Sequence, residues 1–464
     1  MKAIIFTDVA GYPGFGRSAG AYRIASEFRK RGDEVKVIDC FNSYTLEQLK
    51  AIIVNCRTSE TQWIGFSTTF LIDHENSNLW NKDKSHVRNT AEINDNRDEQ
   101  TSTALSIIDE LDLFNFIKSL GLKIVLGGWR GWRTNLTIKN DPDIIIYHGP
   151  CEERFFSDFD FTKSQILFND DDHILEEEDL PIEISRGCIF KCKFCHFHLN
   201  GKKLWDFVKP PELIREEMMQ NYINFGTTGY MFSDDTYNDS PVKIEELLKM
   251  YRTLPFDLRF STYARLDLMI SHKHTQEMLV ESGMKSVFFG IETLNQEAGK
   301  FVGKGMDPEK VKRGLLEFRE KYPDVFVYVS MIGGLPGETL DDMQESFEFL
   351  TKEAKVNQLT FGPLFINSGS DMSLNAEKYG YKKDANHSRS WTRKDGLTFL
   401  DVYEWCAQKK REYPGSPVGF TMYNRLRNVG YSEDELLKLS FEKNVDDIMD
   451  RTKKFRENYM NKIL

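Results

Sequence analysis

The stretch GCIFKCKFCH, residues 187–196, places three cysteines within eight positions of one another. Cys188, Cys192 and Cys195 have the spacing C-x3-C-x2-C and are three of the seven cysteines in the chain. Three thiols this close in a compact loop share a ligand, form a strained bond or are redundant. A bound metal is the most economical of these explanations.

The composition is that of an acidic globular chain. Its 464 residues suffice for two or three domains, and a hydrophobic fraction of 40% with 34 phenylalanines supplies sizeable cores. The net charge of -11 argues against nucleic-acid binding as the main task. No apolar run is long enough to cross a bilayer, so we expect no membrane partner. An odd number of cysteines fits a cytoplasmic protein with reduced thiols.

Residues 1–150 alternate strand and helix patterns. The predicted strands and helices are, in order, 3–7, 18–31, 34–39, 63–68, 104–120, 123–128 and 143–147. Apolar strands in this alternation predict a doubly wound parallel α/β sheet of the Rossmann type. Ligands of such sheets bind at the carboxyl ends of the strands.

The first predicted strand runs into a glycine-rich turn. Gly14, Gly16 and Gly20 have the spacing G-x-G-x3-G, which departs from the usual dinucleotide-binding pattern. A phosphate- or dinucleotide-binding loop and a plain tight turn therefore both remain open. The turn is also similar to the first turn of some sugar-nucleotide glycosyltransferases, but the C-terminal half gives that idea no support.

Two polar segments interrupt this pattern. Residues 73–103 are too long for an ordinary connection, and we expect either a lid or a disordered insertion. Residues 151–180 contain an acidic run at 169–179. This run predicts a solvated linker that marks a domain boundary.

Residues 181–365 repeat a strand–helix unit six times. The predicted strands are 181–185, 229–232, 258–262, 286–290, 325–329 and 358–361, and the predicted helices are 211–224, 242–252, 275–282, 308–321 and 340–354. Six such units predict a closed or partial TIM-type barrel with its chemistry just after the strands. Residues 366–464 predict helices over 397–410, 432–439 and 444–460 that cover the barrel mouth or its flank.

Three metal groups are compatible with the cysteine stretch. His196 or His198 would complete a Cys3His zinc site, although no second pair of zinc ligands follows. Residues 192–196 match the C-x-x-C-H pattern of c-type haem attachment, which leaves Cys188 without a role. An iron–sulfur cluster fits better, because three thiolates can hold three irons and leave the fourth iron open.

The cysteine stretch, with an aromatic residue before its last cysteine, resembles the signature of the radical S-adenosylmethionine (radical SAM) enzymes. Further segments resemble the cobalamin-associated and methylthiotransferase-like branch of this superfamily and occur in family order: FSDDTY at 232–237, ARLD at 264–267, GIET at 290–293 and GGLPGET at 333–339. The resemblance covers residues 181 to about 365. It implies a [4Fe–4S] cluster that cleaves S-adenosylmethionine to a 5′-deoxyadenosyl radical, with an electron donor such as a flavodoxin or ferredoxin.

The resemblance also implies roles for individual residues. Cys188, Cys192 and Cys195 would hold the cluster, with Phe194 shielding it. The implied S-adenosylmethionine contacts are Asp234 or Asp235 to the methionyl amine, Arg265 to the carboxylate, Glu292 to the nucleoside, and Gly333, Gly334 and Pro336 along the adenine. Ordinary alternatives stay open, since the aspartates can cap a helix, Arg265 and Glu292 can form buried ion pairs, and the glycines can form a tight turn.

The N-terminal sheet resembles the cobalamin-binding module that often precedes such barrels. The usual D-x-H-x-x-G ligand motif is absent, because residues 8–14 contain no histidine. The candidate cobalamin contacts are the small residues at the predicted strand ends, Gly11, Gly14, Gly16, Ser67, Gly127 and Gly128. The alternative is a degenerate sheet kept as a scaffold.

The expected function is a cobalamin-linked methyl transfer or rearrangement on a small-molecule or peptide substrate. A methylthiotransferase is the first alternative, but it needs a second cluster, and the positions of Cys40, Cys56 and Cys151 do not suggest a shared site. A non-catalytic iron–sulfur or zinc protein is the second alternative.

Overall fold

The computed structural model describes residues 2–9, 13–69, 71, 111–128, 140–197, 199–366, 369–383 and 390–464. The strands are β1 Ala3–Phe6, β2 Val35–Ile38, β3 Trp63–Ser67, β4 Lys123–Gly128, β5 Ile144–His148, β6 Leu180–Ile182, β7 Gly229–Phe232, β8 Arg259–Ala264, β9 Met284–Glu292, β10 Phe326–Gly333, β11 Gln358–Pro363, β12 Tyr381–Lys383 and β13 Trp391–Arg393. The predicted insertion at 73–103 lies outside the described residues.

The α-helices flank these strands or follow them. They are α1 Ala19–Lys30, α2 Leu46–Cys56, α3 Leu111–Ser119, α4 Glu152–Phe155, α5 Pro211–Phe225, α6 Pro241–Tyr251, α7 Leu266–Ser271, α8 His274–Glu281, α9 Gln296–Val302, α10 Pro308–Lys321, α11 Leu340–Glu348, α12 Asp371–Leu374, α13 Phe399–Glu412, α14 Phe420–Asn428, α15 Glu433–Leu436 and α16 Phe441–Ile463. Within the described part of the chain, no helix is both long and apolar enough to cross a membrane.

The first sheet is parallel and has the strand order β2-β1-β3-β4-β5. Alternate residues of β1 point to opposite faces, so Ala3 and Ile5 join the core that contains α1. Ile4 and Phe6 join the core that contains α2 and α3. Helices thus cover both faces of the sheet, as the alternating sequence predicted.

The second sheet contains six parallel strands in sequential order, from β6 at one edge to β11 at the other. The order β11-β10-β9-β8-β7-β6 confirms six consecutive strand–helix units. The two edge strands are not paired with each other among the described residues, so closure into a barrel stays a prediction. The predicted domain boundaries stay predictions as well.

The two faces of this second sheet carry different neighbours. On one face, Phe289 packs edge-on against Phe318 of α10, with ring centroids 5.6 Å apart. On the opposite, inner face, the rings of Tyr263, Phe288 and Tyr328 form a row with centroids 4.8 Å apart. The outer helices therefore shield one face, and the inner face needs a different cover.

Helix α14 supplies that cover, while the placement of the other C-terminal helices at the barrel mouth or flank stays a prediction. The ring of Phe420 lies 3.9 Å from that of Tyr263, and the side chain of Asn424 hydrogen-bonds Ser261 and Asp179. An aromatic residue and an amide match the mixed aromatic and polar surface of the inner face. This helix was not among the predicted elements.

The acidic run at 169–179 is only in part the solvated segment that its composition predicted, with Asp170, Asp171, Glu176 and Glu177 exposed. Asp172, Glu178 and Asp179 are only 0, 2 and 3% exposed. Arg29 of α1 donates to both carboxylate oxygens of Asp172 at 2.7 Å, and Arg17 donates to Glu178 at 2.6 Å. Burying a carboxylate requires a charged or hydrogen-bonding partner, and these arginines provide it. The segment therefore ties α1 to the second sheet.

Candidate functional site

The cysteine loop follows β6 and returns toward it. The amide of Gly201 donates to the carbonyl of Cys188 at 2.7 Å and closes the loop. Gly187 opens the loop at φ +80, and a Cβ there would lie 2.6 Å from the Cβ of Leu199. Glycine is needed at this position because of both the backbone angle and the close approach. The loop therefore leaves the carboxyl end of β6 in a fixed direction.

All three cysteines of the loop are free thiols, partly exposed to solvent. The sulfur of Cys188 lies 3.2 Å from the hydroxyl of Thr236, and the guanidinium of Arg265 lies 3.7 Å from the sulfur of Cys192. Burial raises the pKa of the Cys195 thiol, and the charges of Cys192 and Cys188 act in the same direction. The three thiols therefore lie within electrostatic reach of one another.

The three thiols are chemically suited to an iron–sulfur cluster, but their side chains do not converge on one point. Among the described residues, no three His, Cys, Asp or Glu side chains converge as a ligand set. The alternative zinc ligand His196 is exposed, and His198 lies outside the described residues. Side-chain rotation within one short loop brings three thiolates together, and the cation of Arg265 offsets part of their charge. A three-thiolate site is therefore the best match.

Asp234 and Asp235 brace the start of the loop. Asp234 accepts hydrogen bonds from the amides of Ile184 and Ser185, at 2.8 and 2.9 Å, and from the Ser185 hydroxyl at 2.7 Å. Asp235 accepts from the amide of Gly187 at 2.9 Å. Burial raises the pKa of each carboxyl group to about 6. Asp234 is fully buried and uses both oxygens, which leaves Asp235 as the better candidate for a ligand contact.

Arg265 links the loop to the end of β8. It forms an ion pair with Asp267, and its guanidinium carbon lies 3.7 Å above the ring of Phe190. Asn238 fixes its backbone by accepting from the Arg265 amide at 2.8 Å and donating to the Arg265 carbonyl at 2.9 Å. The predicted ion-pair alternative for Arg265 is thus present, and the same guanidinium also reaches Cys192.

Glu292 lies at the carboxyl end of β9 with a left-handed backbone, φ +69. Its carboxylate lies 3.6 Å from the ammonium of Lys304. Burial raises the pKa of this carboxyl group, whereas the charge of Lys304 lowers it. A strained backbone at a strand end is typical of a functional position. The geometry is compatible with both the ion-pair and the ligand interpretation.

The glycine-rich turn after β10 is packed on its Cβ side. A Cβ on Gly333 would lie 2.6 Å from Met343, and one on Gly334, at φ +81, would lie 2.8 Å from Trp391. Pro336 in the same turn is buried. Glu338 holds the turn by accepting from the amide of Gly334 at 3.1 Å. These contacts are those of a tight turn, which accounts for the glycines. They leave only the backbone atoms of the turn for contact with a nucleoside.

The candidate cobalamin residues separate into two groups. Gly14, at φ +77, is enclosed, because a Cβ there would lie 2.6 Å from the carbonyl oxygen of Arg425 in α14. Gly16 contacts the side chain of the same arginine. Gly14 is buried and its amide and carbonyl are hydrogen-bonded to Thr452 and Arg425, so it does not fit a corrin contact. Gly16 is half-buried, and Gly11 lies outside the described residues.

The second group lies at the ends of β3 and β4. Ser67 pairs with Gly127 across these strands, and its hydroxyl lies 3.4 Å from that of Ser18. A Cβ on Gly127 would lie 2.9 Å from the sulfur of Cys151, and Gly128 has φ +125. The structure thus brings Ser67, Gly127 and Gly128 together at the carboxyl ends of β3 and β4.

Several neighbours of the cysteines were not predicted from the sequence. Thr236 lies in a quoted motif without an assigned role, whereas Phe190, Asn238 and Lys304 were not singled out. Only Phe190, inside the cysteine stretch, offered a sequence signal. The other contacts depend on strand ends that are far apart in the chain.

Comparison with known proteins finds sequence similarity in the region of the second sheet. Residues 182–350 match the sequence model described as the Radical SAM superfamily. An uncharacterized methyltransferase of Pyrococcus horikoshii is 25% identical over 168 residues, 36% of this chain and 36% of the relative. The ribosomal protein uS12 methylthiotransferase RimO of Bdellovibrio bacteriovorus is 23% identical over 224 residues, 44% of this chain and 48% of the relative. The chain thus matches less than half the length of these curated relatives.

Two solved structures share the fold over nearly the whole chain. The cobalamin-dependent S-adenosylmethionine radical enzyme OxsB, with aqua-cobalamin bound, gives a TM-score of 0.60 at 13% identity and covers 100% of this chain and 72% of its own. The radical S-adenosylmethionine methyltransferase TsrM of Kitasatospora setae, with cobalamin and a [4Fe-4S] cluster bound, gives 0.57 at 12% identity and covers 98 and 100%. At this identity the likeness is one of fold.

Proposed function

We propose that this chain, whose residues 182–350 match the sequence model of the Radical SAM superfamily, is an enzyme that holds a [4Fe–4S] cluster and reductively cleaves S-adenosylmethionine. The observation that carries this proposal is the group of three free thiols in one loop after β6, with the Arg265 guanidinium 3.7 Å from one sulfur. Cys188, Cys192 and Cys195 are the proposed cluster ligands.

The cluster, when bound, supplies the electron that breaks the sulfonium carbon–sulfur bond. The chain's own residues set the conditions for that chemistry. Arg265 places a positive charge beside Cys192, and Thr236 offers a hydroxyl to Cys188. Hydrogen bonds and charges near the sulfurs set the reduction potential of such clusters. Asp234 fixes the start of the loop through the backbone, so it acts as a positioning residue.

The S-adenosylmethionine contacts that we propose lie along the carboxyl edge of the second sheet. Asp235 retains one carboxylate oxygen for the methionyl ammonium after its bond to Gly187. Arg265 is the candidate for the carboxylate and Glu292 for the ribose hydroxyls. Phe194 is the proposed shield of the cluster, and the backbone of Gly333, Gly334 and Pro336 is the proposed edge for the adenine.

We further propose that the reaction is a methyl transfer assisted by a corrinoid. Two cobalamin-dependent neighbours with the same fold over nearly the whole chain support this. Because Gly14 is buried, the half-buried Gly16, Ser67, Gly127 and Gly128 are the remaining candidate contacts. The proposed substrate is a small molecule or a peptide.

The methylthiotransferase alternative is less well supported, although RimO is among the relatives. It requires a second set of cluster ligands in the N-terminal sheet. Cys40 and Cys56 lie at one hydrophobic core and Cys151 lies in a different one, so the three thiols do not share a site.

Anaerobic reconstitution with iron and sulfide tests the proposal. We expect about four iron atoms per chain and a brown chromophore. With S-adenosylmethionine and a reductant, we expect 5′-deoxyadenosine or S-adenosylhomocysteine as a product. A protein that binds zinc in place of iron, or a full cluster without any S-adenosylmethionine turnover, would overturn the proposal. A cobalamin spectrum retained after gel filtration tests the corrinoid separately.

A further inference from the structure

The exposed aromatic residues of this protein are concentrated beside the cysteine loop. Among the described residues, every exposed phenylalanine or tryptophan lies there: Phe197, Trp205 and Phe301, which are 56, 49 and 50% exposed. Leu204, at 37%, lies next to Trp205. Scattered exposed hydrophobic residues are ordinary, but aromatic residues gathered in one place are typical of interfaces.

Backbone contacts hold these aromatic residues around the loop. The segment of Phe197 and Trp205 is tied to the loop by the hydrogen bond from the Gly201 amide to the Cys188 carbonyl. The segment of Phe301 is tied to it because the Lys193 amide donates to the Val302 carbonyl at 2.9 Å. The aromatic side chains are therefore fixed relative to the three thiols.

The same region is basic, although the chain as a whole is acidic. Residues 190–206, 296–305 and 371–383 contain nine lysines and four acidic residues, a net charge of +5 in a chain of net charge -11. The third segment joins the loop through the bond from the Met372 amide to the Lys193 carbonyl at 3.0 Å. Lys191 and Lys203 are exposed. We name the set Phe197, Trp205, Phe301, Lys191 and Lys203 the aromatic–lysine surface.

The proposed function requires an electron from another molecule. The four cysteines outside the loop do not form a second ligand set, because Cys40, Cys151 and Cys406 lie in three different hydrophobic cores and Cys56 packs against the core of Cys40. The described residues thus offer no internal relay to the cluster. An external donor has to approach the cysteine loop closely, and the aromatic–lysine surface is the exposed surface beside it.

We propose that the aromatic–lysine surface is the docking site for an acidic one-electron carrier protein. This proposal rests on the proposed function, because it assumes a cluster in the cysteine loop. One electron leaves the reduced flavin or iron–sulfur group of the carrier and enters the cluster, and no bond is made or broken. Lysines steer the acidic partner, and the aromatic side chains supply apolar contact area.

A nucleic acid is the other polyanion that lysines and aromatic residues can bind. The rest of the chain opposes it, because the residues outside the three basic segments are strongly acidic. An extended polyanion would meet that negative surface, whereas a compact acidic protein contacts only the patch. Charge complementarity therefore favours the carrier protein.

The test compares two reductants on the reconstituted enzyme. One is dithionite, which is small and needs no docking site, and the other is a reduced acidic flavodoxin. In the double variant Lys191→Glu and Lys203→Glu, we expect the KM for flavodoxin to rise about tenfold or more, while the dithionite-driven rate changes by less than about twofold. The matched control is Lys123→Glu with Lys438→Glu, two exposed lysines outside the three basic segments.

The outcomes separate this proposal from the function on which it rests. An unchanged KM for flavodoxin in the patch variant overturns the docking site. A wild-type enzyme that is inactive with both reductants points instead to failure of the proposed function. Amine labelling adds a check without turnover: Lys191 and Lys203 should react in the free enzyme and be protected by flavodoxin. Lysines already unreactive in the free enzyme, or protected by an RNA oligonucleotide alone, would also overturn the proposal.

Discussion

The two parallel sheets of this protein have similar glycine-rich strand ends and different surroundings there. At the end of β1, the turn with Gly14 is enclosed by Arg425, whose side chain donates to the Pro13 carbonyl at 2.9 Å. At the end of β6, the loop opened by Gly187 carries three free thiols beside a hydroxyl and a guanidinium. A glycine after a strand thus marks a close approach at both edges, and what approaches it differs.

The difference teaches how a glycine signal should be interpreted. In the first sheet the turn is enclosed by α14 through Arg425, so it contributes to stability. In the second sheet the loop presents reactive side chains with unused coordinating capacity, so its variants should change chemistry. The predictions below test this division, beginning with the largest expected effect.

Replacing Cys192 by Ala should abolish both iron retention and S-adenosylmethionine cleavage, because two thiolates cannot hold the cluster. Iron analysis and product chromatography after anaerobic reconstitution measure the effect. Cys56→Ala is the matched control, since Cys56 ends α2 outside the loop and should be dispensable. S-adenosylmethionine turnover retained in Cys192→Ala would show that the cysteine loop after β6 does not carry the chemistry, and the contrast with the turn after β1 would fail.

Replacing Gly14 by Ala should lower the free energy of unfolding by roughly 3 kcal/mol, through left-handed strain and contact with the Arg425 carbonyl. Denaturant unfolding measures it. Gly20→Ala in α1 is the control, because a Cβ there meets no atom within 4 Å and Ala suits a helix. Iron content should stay normal in both variants. Equal stability of the two variants would contradict the enclosure of Gly14.

The turn after β10 should make stability depend on pH, because a carboxyl group holds it. Burial raises the pKa of Glu338 to about 7, while the Thr293 hydroxyl and two amides lower it. The folded protein keeps this proton to about pH 7, and the unfolded chain loses it near pH 4. The stabilisation is therefore complete at low pH and is lost as the pH rises through this window, on the order of 3 kcal/mol.

The variant Glu338→Gln should remove this slope, and unfolding measured at several pH values tests it. Glu297→Gln, on an exposed position of α9, should keep the wild-type slope. The turn at Gly14 is held by an arginine, so it should add no comparable slope. Identical pH profiles for wild type and Glu338→Gln would show that the carboxyl group does not hold the proton.

Replacing Thr236 by Val should shift the reduction potential of the proposed cluster while leaving its iron in place. The Thr236 hydroxyl donates to the Asp235 carbonyl at 2.8 Å, and it becomes a donor to the Cys188 sulfur, 3.2 Å away, when that thiol is deprotonated as a cluster ligand. Loss of that hydrogen bond costs about 1 kcal/mol, which for one electron corresponds to a potential lower by roughly 40 mV. A redox titration followed by electron paramagnetic resonance measures it. The control is Thr275→Val in α8, because the Thr275 hydroxyl donates to the His272 carbonyl and not to a cysteine. This variant should leave the potential unchanged.

Elements with clean periodicity were predicted from the sequence with accurate bounds. Strands β4 and β7 and helix α10 agree at both ends with the predicted ranges. Helix α2 was not predicted, although Thr45 and Gln48 form a capping box at its start. Helix α14 was also not predicted, because it buries Asn424 and Arg425 beside its apolar residues and shows no clean apolar stripe.

The site was predictable where it is local and unpredictable where it depends on distant segments. The spacing of the three cysteines and the matches to family segments identified the loop. The bond between Arg265 and Cys192 joins residues 73 positions apart, and the enclosure of Gly14 by Arg425 spans most of the chain. The buried carboxylates at 172–179 were interpreted as solvated because their arginine partners lie in other segments.

Helix α14 has a consequence for how the chain is made. It fastens the first sheet through Arg425 and the inner face of the second through Phe420 and Asn424. Because α14 follows the strands of both sheets in the chain, translation completes both sheets before it reaches residue 420. Until α14 is made, both sheets lack the helix that joins them, and a nascent chain that stalls there exposes two surfaces at once.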